Sequence, residues 1–276
     1  MIRDIAFRLV LAGAAALAAA PGGARANPWL ERCFDPEAAP AALAENCRRA
    51  VEAGGLSARR QAMAWTNMGV GLAELGRHGD AIAAFDAAER ADPGYAGLYV
   101  NRAISNEARG RVRDALADFA RALELAPGDR TALMGRGAML LRRGVADRAL
   151  EDFRAVLARD PADADARFNA GLALAALGKA DEAEAAFSRV IADAPGDADA
   201  WLERGRVRAL RDPRAALADF GRAIALAPER PAGWLARAAL RERLGDDEGA
   251  LADWRRAFEL GAQDPALLER IRRLGG

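Results

Sequence analysis

Histidine, lysine and cysteine are nearly missing from this 276-residue chain, which holds one histidine (His78), one lysine (Lys179) and two cysteines (Cys33 and Cys47). A metal site of imidazole or thiolate therefore lacks ligands, and no Ser-His-Asp or Cys-His constellation has a second candidate base. His78 follows Gly76 and reads as a solvated turn residue. No glycine-rich phosphate loop stands between a strand and a helix. No enzyme activity, metal or cofactor is expected. Val, Ile and Thr are scarce, so a sheet would lack its preferred residues, while Ala, Leu, Arg and Glu favour helix throughout. Net charge is also missing: 40 basic residues face 40 acidic ones. Bulk attraction to nucleic acid is excluded on that ground.

Long apolar runs are absent except near the start. Arg3 and Arg8 precede a short apolar run from Leu9 to Ala20, and Ala24-Arg25-Ala26 is the small-x-small pattern at which signal peptides are cleaved. The run is too short for a bilayer, which takes about twenty residues. The sequence predicts a signal peptide over 1–26, cleavage before Asn27, a periplasmic or secreted product, and no stable membrane insertion. Removing Arg3, Arg8, Arg25 and Asp4 leaves the two signs of charge nearly balanced. In an oxidising compartment Cys33 and Cys47 are expected to form a disulfide, although a redox pair or metal ligands are alternatives. The spacing is far from Cys-x-x-Cys, and closing a loop of this size would contribute roughly 3 kcal/mol.

What the chain has in abundance is a period. Pro93, Pro127, Pro161 and Pro195 stand 34 residues apart, and Pro228 follows after 33. Phe85, Phe119, Phe153, Phe187 and Phe220 each precede their proline by eight residues. Ala81, Ala115, Ala149, Ala183 and Ala216 each precede the Phe by four, and a sixth copy has Trp254 after Ala250. The first copy, read whole, is Trp65, Met68, Gly69, Leu72, Ala81, Phe85, Ala88 and Pro93. This skeleton resembles the tetratricopeptide repeat over about 62–264. The resemblance implies an all-α, right-handed superhelical solenoid of antiparallel helix pairs.

The residues give a physical reading of their own. Each copy makes two amphipathic helices. Gly76, Gly110, Gly144, Gly178 and Gly245 sit between them, where a left-handed residue commonly ends a helix. Gly69, Gly137, Gly171 and Gly205, with Ala103 and Ala238, hold a slot that lets two helix backbones come close. Asp129, Asp163 and Asp197 are placed to cap the helix that follows Pro127, Pro161 and Pro195. The fifth copy is one residue short, with Arg211-Asp212-Pro213 at its turn, which predicts a tighter and irregular connection. The expected order is a signal over 1–26, an N-terminal helical cap with a disulfide over 27–61, six repeats over 62–263 and a C-terminal capping helix over 264–276. A single copy cannot bury its apolar face, so stacking is what stabilises the array.

Two sets of side chains invite a functional reading. Arg102, Arg136, Arg204 and Arg237 share one slot, and the copies that have them also have Asp118, Asp152, Asp219 and Asp253 before the aromatic. Copies with Met68 or Ala170 in the Arg slot have Ala84 or Ala186 in the Asp slot, the pattern a contact within each copy would leave. Four structural Arg–Asp pairs are predicted. The second set comes from the resemblance, which implies a concave groove for a peptide or protein partner. Asn67, Asn101 and Asn169 stand where the family hydrogen-bonds a peptide main chain, and Val70, Ile104, Leu172 and Arg206 would form a floor that turns basic. The carboxylate clamp known in the family is disfavoured, because Thr66, Val70, Thr131 and Gly135 replace its residues. The expected function is an interaction scaffold or adaptor. The alternative is a permanent structural subunit or assembly factor of an envelope complex, docking by its convex face or ends.

Overall fold

A computed structural model describes residues 27–275, so the signal-peptide expectation for 1–26 lies outside the described residues. Among them the regular structure is helix alone. The helices are α1 (Leu30–Cys33), α2 (Pro40–Glu52), α3 (Ala58–Glu74), α4 (His78–Ala91), α5 (Ala96–Ala108), α6 (Val112–Leu125) and α7 (Arg130–Arg142). They continue with α8 (Ala146–Arg159), α9 (Ala164–Ala176), α10 (Ala180–Asp193), α11 (Ala198–Arg208) and α12 (Pro213–Leu226). The last are α13 (Pro231–Arg243), α14 (Asp247–Glu259) and α15 (Pro265–Gly275). None of the described helices is long and apolar enough to cross a membrane. The helices fall into two compact units, one ending at Met139 and the other beginning at Leu140.

In the N-terminal unit a disulfide joins Cys33 to Cys47 and ties α1 to α2. Leu30, Phe34, Leu43 and both cysteines pack with Met63, Ala64 and Val70 of α3 into one core cluster. The cap is thereby continuous with the first repeat. Asn27 also contributes, donating its amide to the Ala50 carbonyl at 2.7 Å.

Within each repeat the second helix turns back where the sequence places glycine. Gly76, Gly110, Gly144, Gly178 and Gly245 have φ between 71° and 79°. The next residue reaches back five positions to close the helix end, as in Arg77 N–H to the Leu72 carbonyl at 2.9 Å and Lys179 to Leu174 at 2.9 Å. The fifth copy, one residue short, makes this turn without a left-handed residue. There the Asp212 N–H bonds to the Arg208 carbonyl at 2.8 Å, and the Asp212 side chain caps α12 through Ala215 N–H at 3.0 Å. Asp163 and Asp197 cap α9 and α11 in the same manner.

The recurrent Phe fills the space between paired helices. Phe85, Phe119, Phe153 and Phe187 are fully buried, and Phe220 nearly so. The small-residue slot faces this ring directly: a Cβ added at Gly171 would lie 2.8 Å from Phe187 Cε1, and one at Gly205 would lie 2.6 Å from Phe220 Cε1.

Successive repeats are joined by a second periodic contact. After Pro93, Pro161, Pro195 and Pro228 the next first helix supplies a side-chain donor to the loop carbonyl six residues on, whereas Leu133 holds that position after Pro127. The Tyr99 hydroxyl donates to Pro93 O at 3.0 Å, and the indole N–H groups of Trp201 and Trp234 donate to Pro195 O and Pro228 O, each at 3.0 Å. Arg167 does the same for Pro161.

The two classes of glycine separate in a stability measurement. Gly178→Ala meets no atom within 4 Å and carries only the left-handed backbone strain, so it is expected to cost about 1 kcal/mol. Gly171→Ala forces a methyl against Phe187 and is expected to cost about 2–3 kcal/mol. Urea unfolding monitored by circular dichroism checks the order; equal losses would mean that the ring moves aside freely.

Candidate functional site

The arginines that first suggest a ligand patch are held within the protein. Arg102 forms a two-pronged contact with Asp118, Nη2 to Oδ1 at 2.8 Å and Nε to Oδ2 at 3.1 Å. Arg204 grips Asp219 at 2.7 and 3.0 Å, and Arg237 grips Asp253 at 2.8 Å through both prongs. Each pair joins the first helix of a repeat to the second, and all three carboxylates are buried. The expected pair Arg136 with Asp152 has one member in each unit, so these three are the pairs lying within a unit.

Each pair belongs to a larger niche. The guanidinium lies over the aromatic ring three residues earlier, at 5.4 Å for Tyr99, 4.7 Å for Trp201 and 5.1 Å for Trp234. It also reaches the second helix of the preceding repeat, Arg102 to Asp86 and Glu89 at 2.7 and 2.6 Å and Arg204 to the Ser188 hydroxyl at 3.1 Å. A second donor four residues on completes the carboxylate: Asn106 on Asp118 at 3.0 Å, Arg208 on Asp219 at 3.0 Å, and Arg241 on Asp253 at 2.9 Å. Burial pushes the Asp118 carboxyl upward in pKa, against the hydrogen bonds and charge of Arg102. Burial likewise disfavours the Glu89 carboxylate, but Arg102 outweighs it and holds that pKa below the ordinary value. In the sequence this slot holds Leu72 and Leu174 in the two copies without the pair, but also Leu140 in the copy with Arg136 and Asp152, so the second donor could not be read from the slot alone.

The amides and floor residues expected to face a partner do not share one open surface. Asn67, Asn101, Asn169 and Val70 are fully buried, Ile104 is nearly so, Leu172 is half-buried and Arg206 is exposed. Asn67 donates to the Cys33 carbonyl at 3.0 Å and Val70 packs in the cap core, so both serve the cap. Helical periodicity tells which stripe a residue occupies but not what covers that stripe.

In the C-terminal unit a pocket of about 350 Å³ opens between α11 and α13. Leu235, Ala236, Ala239 and Leu240 form its apolar floor, and Arg206 and Arg243 stand at its edge. Arg206 is ion-paired with Glu203 at 2.8 Å, and Arg243 bonds the Ala209 carbonyl. A further cavity of about 300 Å³ between α13 and α15 shares Leu235 and Ala239, which extends the apolar floor across α13.

In the N-terminal unit a larger cleft of about 660 Å³ lies over Trp65, Met68, Leu72 and Leu75 of the first repeat, flanked by α2 and α4. It occupies the place of the arginine niche, in a copy where Met68 and Ala84 replace the pair.

Comparison with known proteins follows this geometry. A family model described as Tetratricopeptide repeat matches residues 36–96, 100–145, 140–198 and 175–211. Among solved structures the chain is similar to a tetratricopeptide repeat protein from Parabacteroides merdae, 19% identical over 86% of this chain and 93% of that one, with a TM-score of 0.63. It is also similar to YrrB, described as a TPR protein with an unusual peptide-binding site, 25% identical over 69% of this chain and 96% of that one, TM-score 0.60. A third is TTC0263, a thermophilic TPR protein of Thermus thermophilus, 28% identical over 65% and 98%, TM-score 0.54. No curated protein matches the chain.

Removing one partner of a buried pair should cost far more than removing both. Asp219→Ala is expected to destabilise by about 3 kcal/mol, because Arg204 keeps its charge without its carboxylate. Arg204→Met and Arg208→Leu with Asp219→Ala imitate Met68, Leu72 and Ala84 of the first copy and are expected to return to within about 1 kcal/mol of the parent. Thermal and urea unfolding of the two variants check this; equal losses would remove the energetic role of the pair.

Proposed function

The chain belongs to the tetratricopeptide repeat family, and from that premise we propose that it is a periplasmic scaffold holding a peptide or protein partner against the first helices of its C-terminal unit. The family fold is that of a protein–protein interaction scaffold, and proteins of the family are generally non-catalytic. The observation that carries the finer reading is the pocket between α11 and α13, where Arg206 and Arg243 stand beside an apolar floor. A partner segment with an apolar side chain next to a carboxylate or a main-chain carbonyl meets both features. Arg206, named from its register on the first helix, is the candidate groove residue exposed to such a segment.

The compartment rests on the charged start, short apolar run and Ala24-Arg25-Ala26 of the leader, and on a disulfide that an oxidising environment sustains.

A photoreactive residue at Ala239 is expected to crosslink a protein partner in intact cells, and Arg206→Glu with Arg243→Glu to reduce that adduct at least about tenfold. Crosslinking that is absent at Ala239, or indifferent to the two arginines, would remove the pocket from the function. N-terminal sequencing of protein from the periplasmic fraction is expected to begin at Asn27; an intact leader in the cytoplasmic fraction would contradict the location.

A further inference from the structure

The cleft over the first repeat arises from a missing pair of side chains. In the second, fifth and sixth copies the corresponding niche is filled by an arginine stacked on an aromatic ring and locked to an aspartate of the second helix. In the first copy the ring is present as Trp65, but Met68 stands three residues on, and Ala84 opposes it from α4. On the other wall α2 presents Ala41 and Ala44. Small residues on both flanking helices and an uncharged floor leave the volume open. The fourth copy, which also lacks the pair, differs: Arg154 of α8 and Glu182 of α10 join the flanking helices at 3.1 Å. Among the described residues no ion pair joins α2 to α4.

The polar groups of the cleft say what chemistry it would accept. Glu45 receives hydrogen bonds from Arg48 and Arg49, which hold its pKa down at about 2, and Arg48 is shared with Glu52. Arg77 is paired with Asp80 at 2.6 Å. Arg90, exposed at one end, has no carboxylate partner among the described residues. Trp201 and Trp234 use a preceding proline carbonyl as acceptor; no repeat proline precedes Trp65, and its indole has no acceptor among the described residues. One cation without a carboxylate partner among the described residues, Arg90, thus borders an apolar floor. A volume of this size is in the range of sites that take a ligand.

From this complementarity we infer that the cleft bounded by α2, α3 and α4 docks an acidic amphipathic segment of a partner protein, its apolar side chains over Met68 and Leu72 and its carboxylate against Arg90. The inference rests on the reading of the chain as a protein-binding scaffold, and it adds a second site on a different stripe of helix from the α11–α13 pocket. Trp65, Met68, Leu72 and Leu75 recur at helical spacing along one side of α3, whereas Asn67 and Val70 face the cap.

The test uses the full exported chain and a labelled helical peptide with Leu and Phe on one stripe, Asp and Glu beside it, and a counterpart with Lys in place of the acids. Fluorescence anisotropy is expected to show the acidic peptide binding at least about tenfold more tightly than the Lys form. Met68→Arg with Ala84→Asp rebuilds the pair that closes the niche elsewhere and is expected to weaken the acidic peptide at least about tenfold while the helical spectrum is kept. Arg90→Glu, which disturbs no packing, is expected to reverse the preference between the two peptides. Arg206→Glu with Arg243→Glu is expected to leave this binding unchanged. The docking inference is overturned by equal affinity for both peptides, by binding that survives both cleft variants, by binding lost only in the Arg206/Arg243 variant, or by binding of oleate without either peptide. In each of these outcomes crosslinking at Ala239 still decides the scaffold reading separately.

Discussion

The stability of both units depends on how closely two antiparallel helices can approach, and one slot per repeat sets that distance. A glycine or alanine on the first helix lies under the edge of the phenylalanine ring of the second, with no room for a larger side chain at the glycine positions. With the ring seated there, one repeat still exposes an apolar stripe on its far side, and the neighbouring repeat covers it. Other recurrent contacts are consequences of this placement. The arginine of the first helix is brought opposite the aspartate beside the ring because both belong to helices held at that separation. The charged contact decorates a geometry that packing has already determined, and a copy with Met68 and Ala84 keeps the same Gly69 and Phe85.

Much of this was legible in the sequence because the relevant quantities are local or periodic. Prolines at a near-constant interval, glycines that end one helix and the aromatic slot each reflect a constraint that recurs in most of the six copies, so the copies act as repeated observations of one rule. The paired presence of Arg and Asp was legible for the same reason. The burial of Asn67, Asn101 and Asn169 was not. Register assigns an amide to a stripe of its helix, but whether that stripe is covered depends on elements that do not repeat, such as the cap that places the Cys33 carbonyl beside Asn67. The cleft of the first repeat was half legible: the absence of the pair was visible, while the width of the opening depends on the alanines that α2 happens to present there.

The niche occupied by the pair in the second, fifth and sixth copies is open in the first, while in the fourth an ion pair between Arg154 and Glu182 joins the flanking helices instead. Filled, it holds a guanidinium among a ring and several acids, satisfied and unavailable. Unfilled, it is an apolar recess whose floor is still part of the hydrophobic core. Losing the pair takes two substitutions on separate helices, and the recess stays open only where the flanking helices also present small, unbridged residues, as Ala41 and Ala44 do beside the first copy; the Phe-to-glycine packing beneath is the same in either case. A repeat array of this kind separates the residues that determine its architecture from those that determine what its surface will accept.

The tryptophans that close the repeat junctions give this chain an internal set of strain gauges. Each of the indoles of Trp201 and Trp234 is bonded to the proline carbonyl of the repeat before it, so its proton is shielded only while that junction is shut. Solvent exchange at the indole nitrogens would thus report the breathing of individual junctions, separately from the melting of the helices themselves.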